Sequence, residues 1–235
     1  MPAFQTIDYI ALGFFFFAWL GYHIFVEGAQ RRHGGLNVLM DQYRQRWMEQ
    51  MSQREMRMVD TSIIASLQNG TAFFASTSLL AIGAVATLLR ATDDVLKLFS
   101  DMPFALVTTR VAWETKVVGL GIIFGYAFFK FSWSYRLFNY SAILIGATPS
   151  AQNPDVARRR RTAWHAGQMN ISAARHFSRG QRAFFFALGY MGWFVSPYVF
   201  LFSTLAILIV MSTRQFASDA RRAVTGHPPD DVADD

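Results

Sequence analysis

Four long apolar blocks set the terms on which this chain can fold. A helix needs about 20 mostly apolar residues to cross a hydrocarbon core about 30 Å thick. Ile7 to Val26 supplies them, with Asp8 as the only acid and standing at the outer edge. Thr71 to Leu89 interrupts its apolar run only with hydroxyls, among them Ser76, Thr77, Ser78 and Thr87, which a helix satisfies on its own carbonyls. Phe184 to Met211 is long enough to cross with tilt. Within it Pro197 removes one backbone donor, frees the carbonyl of Trp193 and predicts a bend there. The composition agrees, because only 16% of the residues are charged, against roughly 25% in a soluble domain. The expected fold is all-α: a four-helix transmembrane bundle with amphipathic cytoplasmic helical segments.

The third block is bracketed by lysines. Between Lys116 and Lys130 lies the apolar run Val117 to Phe129, and the two lysines stand roughly 21 Å apart along a helix at about 1.5 Å per residue. Snorkelling of both side chains to the head groups covers the remaining thickness. The stretch Leu137 to Ile145 is too short for a further span. It reads as a continuation of the third helix or as an interfacial helix, stopped by Gly146 and Pro149. Lys and Arg near the span ends set the orientation. Arg31, Arg32, Arg44, Arg46, Arg54 and Arg57 precede the second span, and Arg136, Arg158 to Arg161, Arg175, Arg179 and Arg182 precede the fourth. Both segments are therefore expected in the cytoplasm, with both termini on the non-cytoplasmic side of a bacterial inner membrane. No cleaved signal peptide is expected at Met1 to Asp8, which lacks a basic start. The expected organisation is one membrane domain over 1–224, with spans at about 7–26, 71–89, 114–135 and 184–211. Cytoplasmic segments 27–62 and 136–183 join them, and an acidic, disordered tail covers 225–235.

Polar chemistry is sparse. Without cysteine there are no disulfides, iron–sulfur clusters or thiolate metal sites. In the first cytoplasmic segment Leu36, Met40, Tyr43, Trp47, Met51 and Met58 fall on one helical face. That face suits either a membrane-surface or partner-binding helix, or an extension of the second span packed on its neighbours. Arg158, Arg159, Arg160 and Arg161 are candidates for contact with anionic lipid head groups as well as a topology signal. A net charge of +6 without a nucleic-acid-binding motif points to a membrane surface and not to nucleic acid. His23 and Glu27, one turn apart, could share a proton, but no third ligand accompanies them, so neither a metal nor a cofactor is expected. Gly121 with Gly125 and Gly189 with Gly192 are small residues that let helices approach closely. Lys130, Arg136, Asn139, Asn69, Ser76 and Thr77 are the polar candidates inside or beside the membrane.

Three strings of residues carry a further signal. One runs from Arg46, Trp47 and Met48 through Met51, Arg54, Glu55, Arg57 and Asp60, and continues in Phe73 to Leu80. A second comprises Phe131, Trp133, Ser134, Arg136, Asn139, Gly146, Ala147 and Pro149, and a third Arg182 to Ala187 with Trp193, Phe194 and Pro197. Together they resemble the bacterial branch of the domain of unknown function 599 family over about Glu27 to Phe216, and the resemblance implies a multi-span membrane protein without lending it a reaction. It makes Arg136 and Asn139 family-typical. The functional expectation is a non-enzymatic scaffold, accessory or regulatory subunit, as a homo-oligomer or within a membrane complex. The alternatives are a small oligomeric transporter or channel lined by Lys130, Ser76 and Thr77, and a lipid-modifying enzyme using His23 with Glu27.

Overall fold

In the computed structural model, residues 4–33, 35–100, 109–216 and 223–225 are described, with side chains outside 25–33, 99–100 and 216. The helices are α1 (Thr6–His33), α2 (Leu36–Ser52), α3 (Met58–Arg90), α4 (Thr92–Ser100), α5 (Arg110–Ala147), α6 (Val156–Met191) and α7 (Pro197–Phe216). A 3-10 turn, Gly192–Phe194, joins the last two. Among the described residues there is no strand. Four helices, α1, α3, α5 and α7, are long and apolar enough to cross a membrane.

Length alone forces two layers. α5 has 38 residues, or about 57 Å at about 1.5 Å per residue, almost twice the hydrocarbon thickness. α3, with 33 residues, exceeds it as well. In the membrane layer α1, α7 and parts of α3, α5 and α6 enclose Phe15, Phe131, Phe186, Tyr190, Trp193 and Phe200. Lipid tails are as apolar as these rings, so helix association there rests on close packing. Ring geometry adds to it: Phe15 meets Phe186 and Tyr190 edge to face at 5.8 and 5.5 Å. In the distal layer Met48 and Met51 of α2 pack with Ile64 of α3, Ile145 of α5 and Ala163 and Ala166 of α6. The stretch after Lys130 is thus the first of its two expected forms, an unbroken continuation of the third helix. α5 and α6 pack closely at Gly180, where a Cβ would stand 2.7 Å from the Phe131 ring.

The fourth apolar block is not one span. α6 ends at Met191, and α7 returns beside it: Ser203 Oγ donates to the Gly189 carbonyl at 2.6 Å, and the Arg214 guanidinium lies over the Phe185 ring at 5.4 Å. The reversal replaces the expected bend at Trp193. Consequently the two ends of the bundle are distinct. Asp8 of α1 accepts from Trp193 Nε1 at 2.7 Å at one end. At the other, Tyr22 of α1 donates to the Met211 carbonyl of α7 at 2.9 Å. The start of α1 and the end of α7 therefore lie at opposite ends of the bundle. The acidic tail from 226 on lies outside the described residues.

The first string of the family resemblance is architectural. Buried Asp60 accepts from Trp47 Nε1 at 2.7 Å and from Arg54 Nη1 at 2.9 Å, tying α2 to the start of α3. Arg57 donates to the carbonyls of Ile145, Thr148 and Pro149. A guanidinium there satisfies the open end of α5 and complements its macrodipole. Of the methionine-rich face, Met51 is buried and Leu36 and Trp47 are half-buried, whereas Met40, Tyr43 and Met58 are exposed; Met48, outside that face, is buried as well.

Candidate functional site

Where the two layers meet, α2, α3 and α6 leave a groove of ≈ 660 Å³. Each helix contributes one face to it. Asn37, Asp41 and Arg44 follow at helical spacing on α2, as do Arg175, Ser178, Arg179 and Arg182 on α6. Ser66, Leu67, Gly70 and Thr71 come from α3, and Phe138 of α5 closes the floor with Phe177. A smaller hollow of ≈ 240 Å³ adjoins it, sharing Asn37, Ser178 and Arg182 and adding Tyr22, Gln181, Arg214 and Gln215.

The groove is strongly cationic. Among the described side chains, four arginines line it with one carboxylate, Asp41, which accepts from Arg175 Nη2 at 3.0 Å. Arg44 donates to the carbonyl oxygen of Asn170, a fully buried amide that also reaches Ser141 Oγ at 3.5 Å. Burial pulls the Arg44 pKa down, with Asp41 acting the other way, while Arg44 remains a cation at neutral pH. Burial also raises the Asp41 carboxyl above its ordinary value of 3.8, with Arg175 and Arg44 opposing the rise. A carboxyl whose folded pKa is raised binds its proton more tightly in the folded chain. Its cost to stability is fully present above the folded pKa and disappears below the unfolded value of 3.8. Asp41→Asn is therefore expected to raise the thermal midpoint at neutral pH and to erase that gain as the pH falls toward 3.8. A gain that persists unchanged at low pH would contradict the assignment.

The polar candidates read from sequence do not converge. Ser76 and Asn69 are exposed, and Thr77 Oγ1 donates back to the Phe73 carbonyl at 2.8 Å. Lys130 Nζ lies 5.1 Å over the Tyr126 ring of its own helix. Arg136 is exposed, donating to Tyr140 Oη at 2.6 Å, and Asn139 accepts from Gln68 Nε2. Arg158, Arg160 and Arg161 are exposed at the distal end of α6, and Arg159 donates to the Ala151 carbonyl. They stand roughly 30 to 36 Å along the helix from Arg182 at about 1.5 Å per residue. Gly121 faces Val85 of α3 and Gly189 and Gly192 face α7, but a Cβ at Gly125 would meet nothing within 4 Å. His23 Nδ1 stands 3.4 Å from Arg182 Nη2, and the Glu27 side chain lies outside the described residues. Among the described residues no three His, Asp or Glu side chains gather to hold a metal ion.

Lys116 does not snorkel. Its side chain is buried and its Nζ donates to the Trp193 carbonyl at 2.8 Å, the acceptor that Pro197 leaves without an amide. Sequence reasoning supplied that acceptor and missed its donor. It also named the arginines of α6 without pairing them with Asn37, Asp41 and Arg44. The spacing of both faces was legible, yet their convergence depends on α2 packing against α6.

The model of one family, described as a protein of unknown function, DUF599, matches residues 10–220. No curated protein and no solved structure matches the chain.

Proposed function

The chain belongs to the DUF599 family of proteins of unknown function, and from that premise we propose that it is a non-enzymatic scaffold, accessory or regulatory subunit of the bacterial inner membrane, presenting its distal layer to the cytoplasm. The observation that carries this reading is the continuity of α5 and α6 through both layers. Whatever binds the distal layer is held at a fixed height and angle above the bilayer. The basic residues of the α2 and α6 segments favour the cytoplasm for that layer, and Arg214 at the end of α7 now joins them. A path for ions or solutes has less support. Aromatic rings fill the middle of the membrane layer, while Ser76 is exposed on the outside of α3.

Native mass spectrometry of the protein drawn from its own membranes in mild detergent tests the proposal. A stoichiometric foreign subunit is expected, and Trp164→Ser should release it by removing the largest exposed apolar side chain of α6. Repeated recovery of the chain alone, or only as a homo-oligomer, would overturn the reading.

A further inference from the structure

We propose that the groove between α2, α3 and α6 is a binding site for an anionic phospholipid, with its phosphate among Arg44, Arg179 and Arg182 and its acyl chains leaving over Gly70 and Leu67. The inference does not depend on the scaffold reading. Charge is the first argument. Among the described side chains four guanidiniums and one carboxylate line the groove, and the carboxylate accepts from Arg175. Guanidiniums withdrawn from water gain most from an anion that accepts paired hydrogen bonds, as a phosphate does. Position is the second. The groove lies beside Ser66 to Thr71, at the start of the apolar run Thr71 to Leu89 of α3, where a spanning helix is expected to meet head groups. The two-sided lining is the third: arginines of α2 and α6 form its charged side, and Leu67 of α3 with Phe138 and Phe177 of the floor forms its apolar side. A free phosphate ion would use the charged side only, whereas a phospholipid uses both. The space of ≈ 660 Å³ falls within the range of about 300 to 1,000 Å³ that small-molecule sites occupy.

The placement also moves the expected lipid contact along α6. Arg175, Arg179 and Arg182 line the groove, whereas Arg158 to Arg161 stand roughly 30 Å or more from Arg182 along the helix.

The test uses the full-length protein in detergent, delipidated and then titrated with dioleoylphosphatidylglycerol, dioleoylphosphatidylcholine or inorganic phosphate, with occupancy read by native mass spectrometry. Phosphatidylglycerol is expected to bind in preference to phosphatidylcholine. Each basic side chain near a charged surface is worth about fivefold, so Arg44→Gln with Arg179→Gln should weaken phosphatidylglycerol binding about thirtyfold. Arg160→Gln with Arg161→Gln removes the same charge at the distal end and should change nothing. Because Arg44 also holds Asn170, a second variant leaves every charge in place. A Cβ at Gly70 would meet nothing within 4 Å, so Gly70→Leu fits the helix, fills the groove and should weaken binding about tenfold or more while helicity is kept. Equal binding of the two lipids would overturn the proposal, as would equal losses from the distal arginine pair or full binding by Gly70→Leu. Inorganic phosphate that saturates the site and displaces phosphatidylglycerol would overturn the lipid assignment in favour of a soluble phosphate compound.

Discussion

A cysteine introduced at Gln5 is expected to react with a membrane-impermeant maleimide added outside intact spheroplasts, and a cysteine introduced at Thr225 only after the membrane is opened. Both positions are exposed, and the chain has no cysteine of its own to blur the result. The expectation follows from the antiparallel pairing of α6 with α7. With α1, α3, α5 and α7 crossing, α6 has to carry the chain back from the distal end of α5 to the start of α7. It therefore crosses too, although Arg175, Arg179 and Arg182 keep its composition below that of a free-standing span. Five crossings put the start of α1 and the end of α7 on opposite sides. The eight residues between Phe216 and Thr225 are too few to bring the chain back. A third cysteine at Asn153, in the connection between α5 and α6, should behave like the one at Thr225. Labelling of both Gln5→Cys and Thr225→Cys from outside would restore the four-span topology and refute the α6–α7 hairpin.

That contrast locates what the sequence carried and what it did not. Three apolar blocks became helices where hydropathy and length placed them, because a run of about 20 apolar residues has few other ways to satisfy its backbone in lipid. The fourth was ambiguous for a physical reason. A run from Phe184 to Met211 has the same composition whether it makes one tilted helix or the facing halves of two. Gly192 and Pro197 marked the break but not its angle. A helix buried by its neighbours does not need to be apolar all round, so the α6 crossing was hidden by its own arginines. The cationic groove was half legible. Asn37, Asp41 and Arg44 on one helix and Arg175, Arg179 and Arg182 on another are each a readable face, but which face meets which is a property of tertiary packing. The polar candidates chosen for rarity in a membrane failed to gather, because Ser76 and Thr77 are close to the cheapest polar groups a helix can carry in lipid.

Lys116 and Lys130 look equivalent in sequence, and their replacement is expected to separate them. Lys116→Met should lower stability by about 3 kcal/mol, because it strips the Trp193 carbonyl of its donor and leaves Asp8 without the cation that shares its corner. All three groups are enclosed: Asp8, Lys116 and Trp193 are each less than one-tenth exposed, at 7%, 8% and 3%. Trp193 links them, giving its indole proton to Asp8 and receiving Lys116 at its carbonyl. Lys130→Met removes a cation that rests on Tyr126 and should cost less than about 1 kcal/mol. Denaturation in mixed micelles, followed by tryptophan fluorescence, measures both. The coupling is tested by Asp8→Asn with Lys116→Met, which removes the acid along with its partner. The pair should recover part of the loss, since an uncompensated buried charge costs more than a neutral amide in its place. A double variant that is less stable than Lys116→Met by the full cost of Asp8→Asn alone would show the two groups to be independent. The α6–α7 turn would then owe nothing to their attraction, and the hydrogen bond to Trp193 alone would hold α5 against the turn that Pro197 opens.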